Sequence, residues 1–164
     1  MVQGRKIVAM KTALWMVGKT SYPFIEEGME LYIKRLHHYL SFETQIFPHP
    51  KGNLSPEQTK SWEAEAILRK LQPGDFLVLL DERGKAPTSP AFAAQMERWQ
   101  SAGHKRLVFL IGGAYGFDAS VYDRANERLS LSNMTVSHQI VRLFFLEQLY
   151  RAMTILRNEP YHHA

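Results

Sequence analysis

Leu129 to Ala164 reads LSLSNMTVSHQIVRLFFLEQLYRAMTILRNEPYHHA, and this stretch decides the fold. Leu129-Ser130-Leu131-Ser132 alternates apolar and small polar residues as a short strand does. The chain then turns through Asn133-Met134-Thr135. From His138 to Asn158 there is no Gly or Pro, and Asn158 with Pro160 supplies the stop. That length predicts a helix of about five turns. Its apolar positions, among them Ile140, Val141, Leu143, Phe144, Phe145, Leu149 and Met153, are not confined to one stripe. A helix apolar on most sides is buried on most sides. One face is expected to meet its own domain and another a second subunit.

Upstream of it, strand-like and helix-like segments alternate. Lys11–Val17 reads as a first strand closed by Gly18. Tyr22–Leu40 repeats apolar residues at helical spacing, and Phe42–Phe47 alternates like a strand before Pro48-His49-Pro50. Glu57–Leu71 is a second helix, broken by Pro73-Gly74-Asp75. Phe76–Leu80 is a continuous apolar run of the kind buried on both faces of a parallel sheet, and DERGK follows it. Ser89-Pro90 reads as a helix start with Ser as the cap; that helix runs to about Ala102. Leu107–Ile111 is a fourth strand, followed by GGAYG. Asp118–Asn126 is a short helix, and Leu129–Ser132 the last strand. The order predicts a single α/β domain over residues 10–164 with a mainly parallel sheet flanked by helices. Residues 1–9 are basic with little pattern and read as an extension outside the fold. Ligands of such sheets lie beyond the carboxyl ends of the strands. Here those ends carry DERGK, GGAYG and SNMTVSH, which predicts one site.

Composition narrows the chemistry. The 164 residues are 45% hydrophobic and 22% charged, enough apolar material for a core. No apolar run approaches the ~20 residues of a membrane span. There is no cysteine, so disulfides, thiolate nucleophiles and Cys-ligated zinc are excluded together, and the cytoplasm is the default compartment. A net charge of +4 leans mildly toward polyanions.

Several motifs admit two readings. Gly18-Lys19-Thr20 resembles the end of a phosphate loop, but the glycine that such a loop needs five residues earlier is Ala13, inside a strand. Gly112-Gly113-Ala114-Tyr115-Gly116 is either a tight turn that needs positive φ or a place where a ligand lies against bare backbone. It is not the dinucleotide fingerprint, and no carboxylate stands where a ribose would need one, which disfavours a nicotinamide enzyme. The pairs His37-His38 and His162-His163 are adjacent in sequence, poor geometry for two ligands on one element, so no metal site is expected. A terminal tail is ordinarily disordered; Pro160, Tyr161 and two imidazoles together favour a tail folded over a pocket. Arg142 and Glu147 interrupt the apolar helix. A buried Arg142 needs a partner, and an intersubunit carboxylate, an RNA phosphate or a structural ion pair would each serve.

Five ordered motifs, LDERGK (80–85), FLIGGAYG (109–116), LSLSNMTVSHQIVR (129–142), LEQLYRA (146–152) and NEPYHH (158–163), resemble the ribosomal RNA large subunit methyltransferase H family of the SPOUT class. The resemblance covers residues 10–163. It implies a homodimer through the carboxyl-terminal helix and an α/β domain with a carboxyl-terminal trefoil knot. It also implies S-adenosylmethionine-dependent methylation of N3 of a pseudouridine in 23S rRNA on assembled ribosomes. By matched position, Leu80, Gly112, Gly113 and the run Leu131, Ser132, Asn133, Met134, Thr135, Val136 and Ser137 cradle the methyl donor. Arg142, Tyr161 and His162 line the target-base side, with the tail reaching the partner's pocket. His162 is then the candidate base and Arg142 the candidate anion stabiliser. Two positions depart from the pattern: Ser137 stands where proline is usual, and His163 where a Lys or Arg is usual. A non-catalytic ribosome- or RNA-binding module on the same scaffold is the alternative from another class.

Overall fold

In a computed structural model, which describes residues 10–163, five strands and five helices alternate along the chain. They are β1 (Lys11–Val17), α1 (Pro23–Leu36), β2 (Ser41–Phe47), α2 (Pro56–Lys70), β3 (Asp75–Lys85), α3 (Ser89–Ser101), β4 (Arg106–Ile111), α4 (Ala119–Arg124), β5 (Glu127–Leu129) and α5 (Ile140–Leu156). The proposed extension over residues 1–9 lies outside the described residues. The sheet order is β2-β1-β4-β3-β5, and each neighbouring pair of strands is parallel. The expected α/β architecture is the one observed. Among the described residues no helix is long and apolar enough to cross a membrane.

Alternation along β1 divides the core in two. Leu14 and Met16 point to the layer of α1, α3 and α5, where Phe145 packs on Phe109 at 4.7 Å. Ala13, Trp15 and Val17 point to the opposite layer, with Ile67 from α2 and Val121 from α4. A strand covered on both faces has no polar side to show, hence the continuous apolar runs of β1, β3 and β4. Helix α5 lies against both α1 and α3, which accounts for Phe145, Leu146, Leu149, Ala152 and Met153 being buried.

The boundaries differ from expectation in four instructive places. Helix α1 ends at Leu36, although the apolar spacing continues to Leu40; Leu40 is buried from the turn that follows, where its N–H still reaches Leu36 O. The cap of α3 is Thr88, whose Oγ1 accepts from Ala91 N–H. Ser89 is instead the first helical residue, and its hydroxyl donates to Gln148 on α5. Strand β3 runs on through DERGK: Leu80 pairs with Leu129, residues 81–84 leave the ladder, and Lys85 returns to Leu129. Gly84 makes that return possible, since a Cβ there would stand 2.8 Å from Leu129 N. Strand β5 stops at Leu129 because Ser130 and Ser132 turn the chain by local bonds, Ser130 Oγ donating to Ser132 O and Ser132 Oγ accepting from Met134 N–H.

Candidate active site

After β5 the chain crosses the carboxyl ends of β3 and β4 and arrives at β1. Gln139 secures the arrival: its Oε1 accepts from Ser21 N–H at 2.7 Å and its Nε2 donates to Lys19 O at 3.2 Å. The Gly18-Lys19-Thr20 turn, which resembled part of a phosphate loop, is thus the anchor for the start of α5. Ser137, the departure from proline, also acts here. Its hydroxyl accepts from Ile140 N–H and its carbonyl from Val141 N–H, so it supplies two of the acceptors that a helix start requires.

This crossing roofs a cavity of about 570 Å³ at the carboxyl edge of the sheet, within the range of roughly 300–1,000 Å³ typical of small-molecule sites. Leu80, Ile111, Leu129, Leu131 and Val141 supply apolar lining, and Lys60, Asp81, Glu82, Arg83, Tyr122 and His138 polar and charged lining. Nine of the ten residues expected to cradle the donor line it: Leu80, Gly112, Gly113, Leu131, Ser132, Met134, Thr135, Val136 and Ser137. Asn133, exposed at the turn, does not.

The glycine turn serves close approach more than unusual backbone. Gly112 and Gly113 have ordinary φ; the positive value, 79°, belongs to Gly116, which closes the turn by donating to Gly113 O. A Cβ on Gly112 would meet the Phe117 ring at 2.9 Å, and one on Gly113 would meet Glu63 Oε1 at 3.0 Å. Gly112 and Gly113 therefore present bare backbone to the cavity, with Phe117 and Glu63 filling the space where their side chains would stand. Asp81 accepts from the Tyr122 hydroxyl at 2.7 Å; burial first, and then this bond, pushes the Tyr122 pKa up. Among the described residues no group of three or more His, Asp or Glu is placed to hold a metal ion, and His37 and His38 are exposed on the surface.

Glu63, which the sequence did not single out, stands directly behind the glycine turn. Its side chain is 6% exposed, 3.6 Å from His49 Nδ1, and burial raises its pKa above 4.5 against the opposing pull of His49. The folded protein therefore holds this proton more tightly than the unfolded chain does. The penalty of charging the carboxyl grows as pH rises through the window that opens near 4.5. Glu63→Gln is expected to raise the urea midpoint at pH 7 and to leave it unchanged at pH 3.5, below that window. A midpoint lowered at pH 7 would show that the His49 contact outweighs the burial.

The three residues assigned to the target side do not line the cavity of their own chain. Arg142 is fully buried. Its partners within the chain are backbone carbonyls and one hydroxyl: Nη2 donates to Val17 O and Nη1 to Gly18 O, both at 2.8 Å, with Nη1 also reaching Thr20 Oγ1 and Nε reaching His138 O. Four internal acceptors occupy the guanidinium, and burial lowers its pKa. The tail after α5 folds back on α1 and α5. The Tyr161 hydroxyl donates to Glu147 Oε1 at 2.9 Å and its ring stands 4.7 Å from that of Tyr150. Burial leads the causes that raise the Tyr161 pKa. Tyr39 donates to Glu159 Oε2, which with burial pushes its own pKa up to about 12. His162 is half-buried beside Arg151. Arg151, which the sequence reading did not single out, stands four residues beyond Glu147, the spacing at which a helix makes an ion pair.

A family model described as "Predicted SPOUT methyltransferase" matches residues 10–162. The ribosomal RNA large subunit methyltransferase H of Parabacteroides distasonis is 53% identical over 156 residues, 94% of this chain and 99% of its own. Proteins of the same name from Christiangramia forsetii and Porphyromonas gingivalis are 51% and 49% identical over the same shares. The chain belongs to the SPOUT methyltransferases, in the ribosomal RNA large subunit methyltransferase H family, and with that membership comes the carboxyl-terminal trefoil knot.

Proposed function

We propose that this enzyme methylates N3 of a pseudouridine in 23S rRNA, with S-adenosylmethionine as donor and the assembled ribosome as substrate, in the cytoplasm. One observation carries the donor half of the reading: DERGK, GGAYG and SNMTVSH, far apart in sequence, converge on one cavity at the carboxyl edge of the sheet. Its lining fits the donor. Apolar side chains and bare glycine backbone suit an adenine ring, and the carboxylates of Asp81 and Glu82 suit a cationic ligand. The rRNA half is supported by the names of relatives about half identical over nearly the whole chain.

The donor, when bound, supplies an activated methyl group: the N3–methyl bond forms as the sulfur–methyl bond breaks and its electron pair stays with sulfur. The protein's part is to align the methyl carbon with the attacking nitrogen and to assist loss of the N3 proton. Arg142 enters as a positioning residue that pins the roof of the cavity to the end of β1. Tyr161 and His162 sit on the target side, in the cavity of a second subunit. Support for a homodimer comes from apolar surface that a monomer leaves to solvent: Phe24 and Leu31 on α1 and Ile140 at the start of α5 are 64%, 48% and 51% exposed. A basic protein that carries the net charge of +4 docks on RNA in a salt-sensitive way.

The test is transfer of labelled methyl groups from S-adenosylmethionine to intact ribosomes and, separately, to free 23S rRNA, both from cells lacking this gene. Label is expected on ribosomes, at N3 of a pseudouridine. No label on either substrate, with donor binding also absent by calorimetry, would refute the reading and promote a non-catalytic RNA-binding module.

A further inference from the structure

The contact between Arg151 and His162 decides what the imidazole can do. Arg151 Nη1 lies 3.2 Å from His162 Nδ1. A guanidinium has donors and no acceptor, so Nδ1 must offer its lone pair. A neutral imidazole that accepts at Nδ1 carries its proton on Nε2. Arg151 is held in that pose from several sides. Its Nη2 donates to Glu147 Oε1, one turn back on α5. Its guanidinium also lies over the Tyr161 ring, 4.8 Å from the centroid. The Tyr161 hydroxyl reaches the same Glu147 oxygen, and Gln148 Nε2 donates to the other at 2.8 Å. A carboxylate thus holds a guanidinium, and the guanidinium holds one nitrogen of the histidine.

We propose that Glu147 and Arg151 are positioning residues that lock His162 in the Nε2–H tautomer, so that His162 serves methyl transfer as a hydrogen-bond donor to the target base and not as its proton acceptor. The proposal rests on the reading of His162 as a target-side residue. It replaces the role of candidate base, which rested on the weak acidity of the imide. An imide nitrogen that loses its proton spreads the negative charge onto the flanking carbonyl oxygens, and an N–H aimed at one of them stabilises the anion. The N3 proton passes to water, N3 attacks the methyl carbon, and sulfur keeps the electron pair of the broken bond. Nε2 keeps its proton throughout, so the imidazole ends the cycle in the state in which it began.

Two measurements on the full-length protein test this. Long-range ¹⁵N–¹H correlation spectra, with His162→Gln to assign the ring, read the tautomer without any turnover. The wild type is expected to show Nε2–H with Nδ1 unprotonated, and Arg151→Met a mixture of both tautomers. An Nδ1–H or doubly protonated ring in the wild type overturns the lock. The second measurement is kcat at saturating donor. His162→Gln keeps an N–H donor but has no basic nitrogen, and is expected to lose no more than about tenfold, whereas His162→Ala loses about 10²–10³-fold. Equal losses in the two variants of an active enzyme overturn the donor role alone. A wild type that shows the tautomer and transfers no methyl group overturns the donor role together with the methyltransferase reading.

Discussion

Arg142→Met is expected to destabilise the fold by about 3–5 kcal/mol, since it strands buried polar groups as well as removing a charge. The guanidinium is fully buried and occupies the carbonyls of Val17 and Gly18 at the end of β1. Methionine fills much of the volume and offers neither carbonyl a donor. A buried carbonyl left unpaired costs about 1–3 kcal/mol. Some of the loss is offset because the fold no longer has to desolvate a cation. For a chain of this size the thermal midpoint should fall by roughly 6–20 °C. Arg142→Lys should not restore it, because one ammonium cannot cover the spread of Val17 O, Gly18 O, Thr20 Oγ1 and His138 O. Donor affinity should fall as well, since the same bonds hold the crossing segment over the cavity. Urea denaturation and calorimetry of both variants check this. A stability within about 1 kcal/mol of wild type would show that the pin is not needed, and would return Arg142 to the candidates for direct catalysis.

The second large effect is expected at the glycine turn. Gly113→Val places a branched side chain where even a Cβ stands 3.0 Å from Glu63 Oε1. Glu63 is buried and cannot readily yield, so the turn must move the other way, into the cavity. Overpacking of this kind costs about 1–3 kcal/mol. If the cost falls on the bound state, donor binding weakens about 5- to 150-fold, with a much smaller change in global stability. Truncating the obstacle should recover part of the loss: Glu63→Ala combined with Gly113→Val is expected to bind donor more tightly than Gly113→Val alone. Calorimetric titration of the folded variants with S-adenosylmethionine decides it. Unchanged affinity in Gly113→Val would mean that the donor lies elsewhere.

Local chemistry explains why much of the architecture could be read from the chain alone. Strands buried on both faces must be apolar throughout, so β1, β3 and β4 declare themselves as runs, and parallel strands joined by helices follow from their spacing. The same logic places DERGK, GGAYG and SNMTVSH on one edge, because parallel strands end together. Errors came where a neighbour distant in sequence overrode local preference. DERGK reads as a loop by composition, but Lys85 finds Leu129 and β3 resumes. Ser89 reads as a cap, yet its hydroxyl has a better partner in Gln148, and Thr88 takes the cap.

By itself, then, the sequence determined the fold class, the edge of the sheet that carries the cavity and most of the residues around it, because period, capping and glycine placement act over a few residues. Only the tertiary structure decided the partners of the polar residues on α5. Arg142 was an interruption in an apolar helix until β1 supplied its carbonyls, more than a hundred residues away in the chain. Glu147 was likewise only an interruption, until the fold paired it with Arg151 and the tail put His162 against that guanidinium. A buried charge or a ring proton is set by whichever donor or acceptor the fold brings within about 3 Å, and no local pattern in the chain encodes that partner.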